Sequence, residues 1–282
     1  MDQKQQEQLE QQRQTWDKFS AGWKKWDELL MSKMRPVSEA LIDSLTINDN
    51  DSILDVASGT GEPGLTLAKK FPNARVTGSD LSEQMVKIAN EHAKQRNIAN
   101  YFSVHADASN MPSFEDNQFD GLICRFGIMF MPDLDGSLKE MVRVVKLGAT
   151  FSVAVWAAPQ FNDLLTTIGK IVRHQLNIPE PPVDVPGIFR CAQEGFTSGK
   201  LETAGLNEVK EFEIEGVSDF DSPEHYWEVM SDIAGPIMDA LKKADEETQQ
   251  VVKKAVLEAA EKFVVDGKVK LNWKAIIATG IK

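Results

Sequence analysis

Apolar and polar positions alternate between two periods along this chain. Short apolar runs near 51–56, 75–79, 101–105, 119–124 and 150–156 predict buried strands. Helical spacing over 62–71, 82–96 and 133–145 predicts the helices between them. Ser82, followed by Met85 and Val86, predicts an N-cap before an apolar face. Such alternation implies an α/β fold, a doubly wound parallel sheet whose ligands lie outside the carboxyl ends of the strands. Asp55, Asp80, Asp107 and Arg125 all fall at those ends.

The flanks read differently. Residues 1–14 are polar and predict a frayed helix or tail; then Trp16, Phe19, Trp23, Trp26, Leu29 and Leu30 recur at helical spacing. Pro36 opens a further predicted helix, 36–45. Residues 157–193 carry five prolines around a predicted helix at 162–176, too long for a simple connection, and such length signals a lid or binding loop. A helix over 195–204, a strand over 207–215, a charged helical stretch over 223–265 and a last strand over 271–281 follow. The predicted organisation is an N-terminal helical lid segment (1–35), a core (36–157), a lid insertion (158–194) and a C-terminal part of the core (195–282) with its helical insertion.

The first strand runs into Asp55-Val-Ala-Ser-Gly-Thr-Gly-Glu-Pro-Gly64, and Gly59, Gly61 and Gly64 fit G-x-G-x-x-G. Glycines there permit a tight turn and close approach of a ligand to the backbone. A dinucleotide fold wants the same glycines and an acid about 20 residues on, which Asp80 supplies. Asp55 separates the two cofactor classes, because a carboxylate repels a pyrophosphate and attracts a cation. A sulfonium- and ammonium-bearing cofactor therefore fits better.

These residues resemble motif I of the class I S-adenosylmethionine-dependent methyltransferases. Val76–Ser82 resembles the family's second-strand motif, His105–Ala108 with Met111–Phe114 the third, and Phe119–Gly127 the fourth. Glu140–Gly148 resembles the helix and turn before strand five. The match is close over about 36–157 and is most like the type 11 group that includes the UbiE-like ubiquinone and menaquinone methyltransferases. Two departures stand out: Ser58 where cysteine or glycine is usual, and Leu147-Gly148-Ala149 for the usual proline-glycine-glycine turn.

The resemblance implies a Rossmann-like sheet of seven strands with the last antiparallel, S-adenosyl-L-methionine as cofactor and S-adenosyl-L-homocysteine as product. It implies that Asp55 and the Ala57-Ser58-Gly59-Thr60-Gly61 turn hold the methionyl end, and that Asp80 accepts from the ribose hydroxyls. Leu81 and Met85 would flank the adenine, Asp107 with Ala108 read its amino edge, and Arg125 and Phe126 sit where cofactor and acceptor meet. Trp16, Phe19 and Trp23 would roof the acceptor. Methyl transfer is an in-line displacement that alignment and water exclusion can drive, so no triad is required. His174, His225, Tyr226 and Arg125 are the candidates for a base or orienting group, while His92 is expected on a solvated helix face and His105 in a structural place.

Composition narrows the partners. A formal net charge of −12 argues against a nucleic-acid phosphate backbone and an anionic membrane surface. No apolar stretch reaches the ~18–20 residues of a membrane span. Two cysteines, Cys124 and Cys191, without a Cys/His cluster, argue against structural zinc and suit a reducing cytoplasm. The expectation is an enzyme that methylates a small apolar or aromatic metabolite on oxygen or carbon, as a monomer or homodimer without a metal. An NAD(P)-dependent oxidoreductase and a non-catalytic cofactor-binding protein of the same fold are the alternatives.

Overall fold

The computed structural model describes residues 1–182 and 184–282, without the Pro236 side chain. The helices are α1 (Gln3–Lys25), α2 (Asp27–Lys33), α3 (Arg35–Asp43), α4 (Gly64–Lys70), α5 (Glu83–Gln95), α6 (Leu134–Val144), α7 (Asp163–Gln175), α8 (Phe196–Thr203), α9 (Pro223–Ile233), α10 (Gly235–Lys242) and α11 (Glu246–Glu261). The strands are β1 (Ser52–Val56), β2 (Arg75–Asp80), β3 (Tyr101–His105), β4 (Phe119–Arg125), β5 (Val145–Trp156), β6 (Asn207–Phe220), β7 (Val264–Val265) and β8 (Lys268–Ile281).

The sheet runs β3-β2-β1-β4-β5-β8-β6, with short β7 paired to β8. Strands β1 to β5 pair in parallel, and β8 lies antiparallel between β5 and β6. This is the doubly wound seven-strand order expected, with its one antiparallel strand. Ile53, Leu54, Val76, Leu122, Ile123, Phe151 and Val153 are buried, as central strands of a sheet covered on both faces require.

Two predictions needed correction. The polar N-terminus does not fray: α1 is one continuous helix, started by a capping box in which Asp2 and Gln5 satisfy each other's backbone amides. Strands β6 and β8 are also longer than their alternating cores suggested. β5 pairs with β8 only from Ala275 onward, so residues 268–274 of β8 and their β6 partners overhang the end of β5.

That overhang carries Trp273, almost wholly buried, against Gly216 of β6. A Cβ on Gly216 would collide with the Trp273 ring. A strand glycine replaced by alanine ordinarily gains stability, whereas overpacking costs about 1–3 kcal/mol. Gly216→Ala should therefore destabilise the chain, read as a lower denaturant midpoint with unchanged slope.

Candidate active site

The site begins where β1 ends. Asp55, fully buried, accepts the Gly64 amide at the start of α4 through Oδ2 at 2.8 Å. There is no room for a side chain at Gly64, since a Cβ would stand 2.7 Å from both Asp55 Oδ2 and Tyr101 Cε2. Between them the backbone turns sharply: Ala57, Gly59 and Gly61 all have positive φ. A Cβ on Gly59 would meet nothing within 4 Å, so this turn presents bare backbone to open space.

Asp55 Oδ1 has no hydrogen-bond partner among the described residues, although it is buried. Burial pushes this carboxyl up to about 8, opposed by the Gly64 amide and the Arg125 charge. A buried acid with one unsatisfied oxygen is a receptor for a cationic donor, whose charge would favour the carboxylate form.

Asp80 ends β2 beside the turn. It accepts the Gly59 amide at 2.8 Å and the Ser82 amide at 2.9 Å, one on each oxygen. Burial pushes its carboxyl up, against those two amides. Each oxygen keeps a second lone pair, enough to accept two hydroxyls. Ser82 caps α5 through Met85 as predicted, and Met85 is buried while Leu81 is half-buried. Asp107 turns both oxygens onto Ser109, at 2.9 Å from its amide and 2.7 Å from its hydroxyl, with Ala108 half-buried between.

The N-terminal helices close over this edge. Asp17 of α1 accepts from Ser82 Oγ at 2.6 Å. Asp27 of α2, buried, accepts from Thr60 Oγ1 and Arg96 at 2.6 Å each. Trp16 packs edge-on against Phe130 and Trp23, and Phe19 is buried. Sequence reasoning missed Asp17 and Asp27, because an acid on a polar helix face looks solvated. His92 also needed correction: it is buried, with Nδ1 2.9 Å from the Thr60 carbonyl oxygen, and helps hold the turn.

Farther along the edge, Phe126 takes φ 59 and stacks on Trp156 at 3.9 Å and 7°. Trp156 meets Trp273 edge-on at 6.5 Å. Periodicity could not reveal this wall, since the three aromatics come from β5, β8 and a turn.

The four candidate bases separate. The Tyr226 hydroxyl is buried, donates to the Leu164 carbonyl at 3.0 Å and accepts the Ile168 amide at 3.3 Å. Those bonds commit it to α7, and burial pushes its hydroxyl far above the usual range, so the structure corrects its assignment as a base. His174 lies exposed in the last turn of α7. His225 packs beside Trp26 at 5.5 Å, with Nδ1 accepting the Asp221 amide. Arg125 sits at the end of β4 between the glycine turn and the aromatic wall.

Residues 53–148 match the methyltransferase domain family. Over that stretch the chain is similar to the class I S-adenosylmethionine-dependent methyltransferases. It is 26% identical over 274 residues to an uncharacterised protein of Mycobacterium tuberculosis, covering 93% of each chain. It is 29% identical over 185 residues to demethylmenaquinone methyltransferase of Listeria monocytogenes, covering 60% of this chain and 73% of that one. Among solved structures, Bacillus subtilis YcgJ shares the fold at a TM-score of 0.58 and 20% identity, over 88% of this chain and 98% of that one. The cofactor of the methyltransferase is S-adenosylmethionine, and the residues at the turn fit it: an open glycine backbone, an unsatisfied buried carboxylate oxygen for a cation, and an acid for a diol. No described helix of the methyltransferase is long and apolar enough to cross a membrane.

The Asp55 carboxyl has a consequence for stability. Unfolded, it titrates near its ordinary 3.8; folded, near 8, because burial, aided by the like charges of Glu62 and Asp80, outweighs the Gly64 amide and Arg125. The folded state then holds a proton that the unfolded state has released, so this group's contribution to stability falls as pH rises from about 4 to about 8 and then levels. Asp55→Asn should flatten that slope, measured as the difference in urea midpoint between about pH 5 and pH 8.

Proposed function

We propose that this chain transfers the methyl group of S-adenosylmethionine to a small apolar or aromatic acceptor, on oxygen or carbon. The acceptor would lie between the aromatic wall and helices α1 and α2. The observation that carries this reading is the unpartnered, buried Oδ1 of Asp55 beside the open backbone of Gly59. A buried carboxylate oxygen without a donor costs stability, and function is a physical reason to keep one.

The cofactor, when bound, supplies the electrophilic methyl group; the protein's residues bind, align and exclude water. Asp55 meets the ammonium of the methionyl end, with Ala57 to Gly61 lying along it. Asp80 accepts from the ribose hydroxyls. Leu81 and Met85 pack on the adenine, and Asp107 with the Ala108 backbone borders its amino edge. Phe126 and Trp156 bound the acceptor side, and alignment there can contribute about 7–11 kcal/mol. His225 is the imidazole proposed to face the acceptor: it packs against Trp26 of the N-terminal segment, whereas His174 is exposed.

Residues 1–35 act as a lid in this reading, with 158–194 as a second cover. Asp17 on Ser82 and Asp27 on Thr60 bind the lid to the two loops that hold the cofactor. Residues 185–190 dock on the segment after β4, where Gly187 donates to the Met129 carbonyl at 3.0 Å and Arg190 to that of Met131 at 2.5 Å. Val183 lies outside the described residues. The lid must open for the cofactor to enter, because Asp55, Ser58, Thr60 and Asp80 are all buried beneath it.

Calorimetric titration with S-adenosylhomocysteine, with NADH as control, tests the reading. Tight binding of the first alone is expected, and binding of NADH alone would overturn it. Asp80→Ala should weaken that binding by about 1–3 kcal/mol, the scale of hydrogen bonds to a charged group. Binding near pH 7 should also release protons, since an ammonium at Asp55 favours its charged form; titration in buffers of different ionisation enthalpy reads this directly. Hydrogen exchange of α1 and α2 should slow when S-adenosylhomocysteine is added, and Asp27→Ala should raise exchange there without ligand. Unchanged exchange in both experiments would rule out the lid.

A further inference from the structure

Arg125 is a half-buried cation without a counter-ion among the described residues. Its Nη1 donates to Ser38 Oγ at 2.7 Å, and its Nη2 lies 2.9 Å from Met31 Sδ. Both partners are neutral, and a thioether is a weak acceptor. Among the described residues no carboxylate oxygen stands within 4.0 Å of this guanidinium.

The nearest acids do not neutralise it. Glu62 is engaged by Arg96 at 2.7 Å, and Asp27 by Arg96 and Thr60. Asp55 is itself pushed toward its neutral form. Burial draws Arg125 below the usual guanidinium range, against the pull of Glu62, Asp55 and Asp27. A partly desolvated charge left without a counter-ion is one that an anionic ligand would complete.

An unsatisfied donor among the described residues belongs to the same end of the sheet. Trp273 Nε1 is buried and has no partner. Trp273 is joined to Arg125 through Trp156 and Phe126, the residue that follows Arg125 in the chain. Phe126 holds a left-handed backbone, costly for a bulky side chain and found where function requires it. A guanidinium that meets only neutral partners, beside the stacked Phe126 and Trp156 rings, suits a flat ligand with anionic oxygen.

We propose that Arg125 is the specificity-determining residue for the methyl acceptor, and that the acceptor is an aromatic acid whose anionic oxygen meets the guanidinium while its ring lies against the Phe126–Trp156 stack. This rests on the methyltransferase reading above. A guanidinium presents parallel N–H groups that match a carboxylate. The methionyl carboxylate of the cofactor is the other source of the same chemistry.

The test uses the full chain saturated with S-adenosylhomocysteine. Benzoate, 4-hydroxybenzoate and indole-3-acetate are titrated calorimetrically beside their primary amides, with wild type, Arg125→Lys and Arg125→Met. At least one acid should bind about tenfold or more tightly than its amide. Arg125→Met should abolish that preference, and Arg125→Lys should keep part of it. S-adenosylhomocysteine affinity should stay within about threefold in Arg125→Met, and the ligand-free thermal midpoint should hold or rise, because an uncompensated charge has been removed. No preference for any acid in wild type, or a preference that survives in Arg125→Met, would overturn the inference. Lost S-adenosylhomocysteine affinity in Arg125→Met would assign the guanidinium to the cofactor instead, and a lowered midpoint would make it structural; either overturns the proposal. If wild type fails to bind S-adenosylhomocysteine, the methyltransferase reading itself falls, which separates the two failures.

Discussion

The hydrogen bond from the Gly64 amide to Asp55 is the interaction on which the functional end of this molecule depends. It ties the last turn of β1 to the first turn of α4, and so sets the path of the glycine turn between them. The packing around it allows no side chain at position 64 and draws Tyr101 in from the sheet edge. The same bond leaves the second carboxylate oxygen buried and unsatisfied. One carboxyl thus shapes the turn and gives it a receptor for positive charge.

Around that point the protein uses acids from outside the sheet to close the site. Asp17 and Asp27 lie on short-range helical segments, yet their partners are Ser82 and Thr60 in the two loops beside β2 and β1. Hydrogen bonds to carboxylates are strong enough to hold a helix in place and weak enough to be exchanged for contacts with a ligand. Arg96 and His92 extend the fastening by linking Asp27, Glu62 and the Thr60 carbonyl. The net negative charge of the chain is therefore uneven in effect: acids at the site are paired or neutralised, and the cation beside them, Arg125, is not.

The aromatic wall has a different origin. Strands β6 and β8 overhang the carboxyl edge and carry Trp273 to Trp156, and the stacked Phe126 completes the wall.

The sequence by itself determined the alternation of strands and helices, the parallel order, the glycine turn and the acids at the strand ends. These are local: they follow from periodicity of two or about 3.6 residues, from capping and turn chemistry, and from short motifs in register. Asp55, Asp80 and Arg125 were legible for that reason. Only the tertiary structure decided that α1 is one capped helix crossing the site, that Asp17, Asp27 and His92 are engaged there, that Tyr226 is committed to α7, and that Trp156 and Trp273 meet. Each depends on residues far apart in the chain, and periodicity describes a helix face without saying what covers it. Whether a polar side chain is solvated or desolvated, and so whether its charge is satisfied, is settled by packing alone.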